Sequence, residues 1–287
     1  MTNALGIVAC TNACLDYIEH DHDIRILRSR VHLGDETFID YEELTAPEFY
    51  TRLNNDSSLF PKTSQPPIGE MIETFETLRD EGKKDIIVVT ISSHMSGIYS
   101  TAIAAGNQVD GVNVHVFDSK TVAYAEALMA IKASELAESG ASVKTILKAL
   151  EAIREHNHIV FAVDTLAYLV KNGRLSNAQG FLGSMLKIKP LLHISDEGKV
   201  ENIEKIRTFK KAVGRVIESY LEETSERDVL PYIVHAQNEK TRDYIVEKLK
   251  EADPSLETIL SIPLTPAVGA HGGPGAIGLG YIDKKVL

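Results

Sequence analysis

With 287 residues, 44% of them hydrophobic and 25% charged, the chain has a globular composition and lies outside the regime of disorder. Its formal net charge of −11 argues against nucleic acid or an anionic membrane surface as partners, because both repel an acidic protein. Two cysteines, Cys10 and Cys14, build no disulfide framework, and no apolar run of about 18 residues offers a membrane span. The opening residues lack the basic region of a signal peptide, so a cytoplasmic location is expected.

Leu5 to Ala9 is a short apolar run and reads as a first buried strand. Segment 24–40 reads as a hairpin, with Gly34-Asp35 at its turn, out of place in a purely parallel design. A helix over 69–81 leads into a strand over 85–91 that is apolar enough to be buried on both faces. A helix over 97–108 and a strand over 112–118 follow, then helices over 122–139 and 142–156. The second half changes character. A strand begins at Ile159, helical patterns cover 163–172 and 176–187, and a hairpin spans 191–206 around Asp196-Glu-Gly. Helices over 209–224 and 239–252 flank a strand at 232–236, and strands at 257–262 and 278–282 close the chain. This order predicts an α/β fold with two lobes: a parallel α/β domain over 1–156 and an α+β domain over 157–287. A ligand site between them is the default expectation.

Several strings carry chemistry. Gly269-Ala-His-Gly-Gly-Pro-Gly-Ala-Ile-Gly contains a formal dinucleotide fingerprint, but Pro274 interrupts it and too few residues follow. A glycine-dense loop instead lets backbone amides, here those of Gly272 and Gly273, approach an anion. Its one polar side chain is His271, with no apolar face in sight to pack it. Pro61-Lys-Thr-Ser-Gln-Pro-Pro supplies a cap for the helix that follows, leaving Thr63 free for a ligand and Ser64 beside it. Ile91-Ser-Ser-His-Met-Ser-Gly follows a buried strand, where open α/β sheets bind ligands. Ser92, Ser93, Ser96 and Gly97 are therefore candidates at a helix start suited to an anion. A hydrolase elbow around Ser93 would need a G-x-S-x-G pattern that is missing. A serine hydrolase or transferase using Ser93 and His271 is thus the alternative reading. Asp118-Ser-Lys caps a helix or touches ligand. The His20/His22 and His156/His158 pairs lack further ligands, so no metal site is expected. Arg174 and Arg207 sit at turns, solvated or reading an anion or partner, within a basic cluster that includes Lys171, Lys205, Lys210 and Lys211. Gly180, Gly183 and Ser184 leave space for close helix packing or for a lipid chain.

Together these strings resemble the DegV family of bacterial fatty-acid-binding proteins, over most of the chain. The motifs are Thr63-Ser-Gln-Pro, Ser92-Ser-His-Met-Ser-Gly, Asp118-Ser-Lys, Asp164-Thr-Leu-Ala-Tyr-Leu with Gly173-Arg174, Lys187-Ile-Lys-Pro-Leu and Gly269-Ala-His-Gly-Gly-Pro-Gly. The resemblance implies a two-lobed fold with a long-chain fatty acid buried between the lobes. It implies that hydroxyls of Thr63 and Ser93 hold the carboxylate, with His271, Arg174 and Arg207 on the same side. A fatty acid kinase would approach there, bind ATP itself and convert the acid to an acyl phosphate for phospholipid synthesis. The chain would then be a non-catalytic carrier without a cofactor. Departures are the replacement of a frequent Asp by Cys10, ahead of a retained Thr11, and of a second frequent Asp by Cys14. Ile98 and Asn172 stand for a frequent Thr and Gly.

Overall fold

The structure is a computed structural model and describes residues 4–56, 58–181, 188–256 and 259–287. The first lobe runs β1 (Leu5–Cys10), β2 (Ile24–Leu27), β3 (Arg30–Leu33), β4 (Glu36–Ile39), α1 (Ala46–Asn55), β5 (Lys62–Ser64) and α2 (Ile68–Asp80). It continues with β6 (Asp85–Thr90), α3 (Ile98–Gly106), β7 (Asn113–Asp118), α4 (Tyr124–Glu138) and α5 (Val143–Glu155). The second lobe holds β8 (Asn157–Ala162), α6 (Ala167–Lys171), β9 (Leu191–Ile194), β10 (Val200–Glu204), α7 (Phe209–Thr224) and β11 (Val229–His235). Then come α8 (Glu239–Ala252), β12 (Leu260–Pro263), α9 (Pro266–Gly272) and β13 (Ile277–Asp283).

The first sheet has the order β2-β1-β6-β7, every pair parallel. Its central strands are buried without alternation, as a parallel sheet covered on both faces requires. Val8, Cys10, Ile86 and Val88 face α2 and α3 through Met71, Phe75, Leu78 and Ala102. The alternate residues Ile7, Ala9, Ile87 and Val89 face the other way, into a core that also takes in Ile159, Tyr232 and Val234 of the second lobe. The two lobes therefore share one apolar core. The second sheet has the order β10-β9-β8-β13-β11-β12 and is antiparallel apart from the β11–β12 pair. One face, with Val160, Ala162, Leu279 and Tyr281, packs on α7 and α8; the other turns toward the first lobe.

Three expectations need correction. Ile24–Leu27 is no arm of the hairpin: it pairs in parallel with β1 as an edge strand. Only β3 and β4 form the hairpin, which joins β5 in a small antiparallel sheet. A four-residue apolar strand does not announce its partner locally, so the two arms looked continuous. The helix at 163–172 shrinks to α6. Of the helix at 176–187 the described part is a single 3-10 turn, Ala178–Phe181; residues 182–187, including Gly183, Ser184 and Lys187, lie outside the described residues. The strand at 257–262 is seen as β12 from Leu260, with 257 and 258 outside the described residues.

Two helices were not expected. α1 starts with a capping box between Thr45 and Glu48. α9 starts at Thr265-Pro266 and contains His271, so the glycine-dense string is half helix, not loop. Its glycines hide it from a propensity reading, yet Gly269 has a packing reason. A Cβ there would lie 2.2 Å from the Tyr50 hydroxyl, which donates to the Leu264 carbonyl at 3.0 Å and pins α9 against α1.

Candidate functional site

All four parallel strands of the first sheet end at one cavity, as open α/β sheets lead one to expect. Asn12 follows β1, Ser29 follows β2, Ile91, Met95, Ser96 and Gly97 follow β6, and Val122 and Ala123 follow β7. The second sheet supplies the opposite wall. Ile159 and Phe161 of β8 point there by strand alternation, with Ile194, Val200, Val234 and Ile277 from neighbouring strands. α9 closes one side through Ala267, Val268, His271 and Gly272. The cavity has a volume of about 160 Å³ and continues into space open to solvent; it is narrower than the ~300–1,000 Å³ usual for ligand sites. Gly278 lies in this wall, and its apolar neighbours lean over it. A Cβ at that position would press on Val234 at 2.9 Å and on Ile159 and Phe161 at 3.2 Å, so any larger residue must push these side chains aside.

One end of the cavity is polar and partly exposed. Thr63 lies on β5, and its hydroxyl meets His271 Nε2 at 2.8 Å. Burial, aided by the charge of Arg174, holds the His271 imidazole down at about 4, so it is neutral near pH 7. A neutral imidazole has one donor and one acceptor nitrogen. If Nε2 donates to Thr63, the threonine hydroxyl is free to donate to a ligand; in the other tautomer, Nδ1–H is the free donor. Either way one donor remains, because Nδ1 is buried without a partner among the described residues. Arg174 is half-buried and held by carbonyls, donating from Nε to Met95 at 3.0 Å and from one terminal nitrogen to Asn172 at 2.5 Å. It makes no ion pair among the described residues, which leaves its charge available to an anion. Asn172, a departure in the family comparison of motifs, ties this turn to α9: its amide donates to the carbonyls of Ala270 at 2.9 Å and Pro61 at 3.3 Å.

Of the residues singled out from the sequence, Thr63, Ser64, Ser96, Gly97, Arg174, His271 and Gly272 line this cavity. Ser93 does not. It is exposed in the turn after β6, where its backbone N–H donates to Asp118 Oδ1 at 3.1 Å; Ser96, three residues on, is the serine of this turn that lines the cavity. Ser93 and His271 share no hydrogen bond, so the hydrolase reading lacks its nucleophile–base pair. Ser92 is fully buried and donates to the Gly198 carbonyl at 2.7 Å, joining the two lobes. Thr11 is also buried off the cavity, donating to Asp40 Oδ2 at 2.6 Å. Gly273 packs on the Tyr168 ring and does not line the cavity. Arg207 is exposed and lies outside the cavity. Cys10 faces α2 and α3, and burial pushes both its thiol and that of Cys14 up, so neither is a reactive thiolate.

Sequence reasoning missed Asn12, Ser29 and the whole apolar wall. It also missed Asp40, whose carboxyl burial raises to about 7 against the pull of the Thr11 hydroxyl and the Ala267 amide at the start of α9. No periodicity separates a cavity-lining valine from a core one. Among the described residues, no group of three His, Cys, Asp or Glu is placed to hold a metal ion, and no helix is long and apolar enough to cross a membrane.

A family model described as an uncharacterised protein of the DegV family matches residues 5–284. Protein DegV of Bacillus subtilis is 38% identical over 271 residues, covering 93% of this chain and 94% of its own. A DegV domain-containing protein of Staphylococcus aureus is 35% identical over 285 residues, covering 97% and 98%. Among solved structures, DegV of Bacillus subtilis, described as a fatty acid binding protein, superposes with a TM-score of 0.85 at 34% identity, covering 98% of this chain and 99% of that one. A fatty acid binding DegV family protein of Streptococcus agalactiae gives 0.88 at 25% identity, covering 98% and 99%. A stearic-acid-binding protein of Eubacterium ventriosum gives 0.84 at 25% identity, covering 99% and 100%.

Proposed function

The chain belongs to the DegV family, and on that premise we propose that it buries one long-chain fatty acid between its lobes, carboxylate outward, and performs no reaction on it alone. The observation that carries this reading is the polarity of the cavity. An apolar trough between the sheets ends at Thr63, Ser96, His271 and Arg174, which has no ion-pair partner among the described residues. A carboxylate leaving water needs several donors, and this end offers two hydroxyls, the imidazole relay and a guanidinium. The tail gains about 0.8 kcal/mol for each buried methylene, enough for a long chain to stay bound through purification. The solved relatives described as fatty-acid-binding support the same ligand class.

The carboxylate end is the exposed end, which suits a carrier that offers its cargo to another protein. The resemblance names that protein as an ATP-dependent fatty acid kinase, with Arg174 and the exposed Arg207 at the docking face. Arg207→Ala should therefore lower acyl-phosphate formation by such a kinase at least tenfold while leaving lipid affinity unchanged. Loss of lipid binding in that variant would contradict the docking role. The carrier reading itself is tested by denaturing extraction and mass spectrometry of the purified protein. One free fatty acid per chain is expected; an empty protein that also refuses oleate and palmitate would overturn it.

A further inference from the structure

The polar groups at the outer end of the cavity have partners or an evident use, whereas two further inside have neither. Asn12 and Ser29 line the cavity and are only 7% and 3% exposed. Each stands two residues past the last register pair of β1 and β2, Cys10 opposite Leu27. The Asn12 side-chain amide oxygen is buried without a partner among the described residues, and neither side chain hydrogen-bonds to any described residue. Other polar groups nearby or along the lining are occupied: Thr11, next to Asn12 in the chain, bonds Asp40, and the cavity-lining Gln65 bonds Thr101 at 2.6 Å.

We propose that Asn12 and Ser29 form a subsite for a hydroxyl group on the acyl chain, so that the cavity prefers a hydroxylated long-chain acid to a plain one. This rests on the fatty-acid reading above. An unpaired buried amide beside an alkyl chain is unfavourable, and a hydroxyl can both donate to the amide oxygen and accept from its N–H. The site is separate from the carboxylate end. The Thr11 carbonyl beside Asn12 accepts from Thr265 at the start of α9, while Thr63 bonds His271 near its end. Six helical residues at ~1.5 Å each put roughly 9 Å between those two contacts, so a chain held by its carboxylate brings a mid-chain carbon past Asn12. A second anion does not fit there. Arg174 is at the other end, and the nearby acids Asp40 and Glu126 are buried with their carboxyls pushed toward the protonated form by burial.

The test measures the affinity of the delipidated full-length protein for stearic acid and for monohydroxy octadecanoic acids that differ only in hydroxyl position. At least one mid-chain isomer is expected to bind about tenfold more tightly than stearic acid, the worth of one well-made hydrogen bond in a dry site. Ser29→Ala combined with Asn12→Leu should abolish that advantage, so that no isomer binds the variant more tightly than stearic acid does. Ser29→Ala alone should reduce it, which keeps the test available should the double variant not fold. Stearic acid binding as tightly as every isomer would overturn the subsite while leaving the carrier reading standing, with water satisfying the two side chains. Binding of neither class would overturn both.

Discussion

The two ends of the cavity are built in different ways. The polar end is assembled from separate segments (β5, the turn after β6, the Arg174 turn and the end of α9), each locked by one or two hydrogen bonds. The apolar wall comes from one face of a single sheet, where alternate residues of β8, β11 and β13 share the lining with no polar partner at all. Recognition at the first end hangs on a few groups that can be removed one at a time. At the second it is spread over area, and the sensitive position is the one where side chain is missing.

Replacing Arg174 by Met keeps the stem and deletes the charge. A hydrogen bond to a charged group contributes about 1.5–3 kcal/mol, so fatty-acid affinity should fall by roughly ten- to a hundredfold, read by titration calorimetry. A fall no larger for Arg174→Met than for a distant surface arginine would mean that the carboxylate lies elsewhere. Gly278→Val attacks the wall instead. Its side chain has to push Ile159, Phe161 and Val234 aside into the cavity, and displacing two methylenes of the ligand at ~0.8 kcal/mol each should weaken a long acid about tenfold. A short acid should suffer less. Equal losses for both lengths would place the effect at the carboxylate and erase the distinction between the ends.

A third prediction concerns α9, which spans the two regions. Asp40 has its carboxyl raised from 3.8 to about 7 by burial. Between those values the folded protein holds a proton that the unfolded chain has lost, so this group's contribution to stability declines as pH rises across that window. His271, lowered from 6.5 to about 4, slopes the other way, losing stability as pH falls through the same region. Asp40→Asn should therefore gain stability relative to the wild type as pH is raised from about 4 to 7, measured by denaturant midpoints along a pH series. A difference independent of pH would show that the aspartate stays ionised. The smallest effect is expected at Ser93→Ala. Its side chain is exposed and off the cavity, so affinity should stay within about twofold, in the range of an ordinary surface change.

That last case shows what could be read from the sequence. The strand-end serine cluster after β6, Thr63, Arg174 and His271 stand out in the sequence as chemistry-bearing residues, and the fold brings Thr63, Ser96, Arg174 and His271 to one cavity. Which serine of the cluster faces inward depends on how the turn between β6 and α3 rotates, and a turn's direction is set by its tertiary anchors, here Asp118 and the Ser92–Gly198 link between lobes. The parallel first half was legible because buried strands and amphipathic helices alternate at characteristic lengths. α9 was not, because close contact with Tyr50 demands glycine where helix propensity disfavours it. The wall was illegible for a simpler reason: Val234 and Ile159 carry the same hydrophobic signal whether they meet a neighbour or a ligand.

The most direct test is a crystal structure of the protein loaded with a long-chain fatty acid. The carboxylate should lie within hydrogen-bond distance of Thr63 and on the side of His271 and Arg174, with the alkyl chain running over Gly278 between Phe161 and Val234. A chain bound in the reverse direction, or seated outside the space between the sheets, would contradict the assignment of polar and apolar ends.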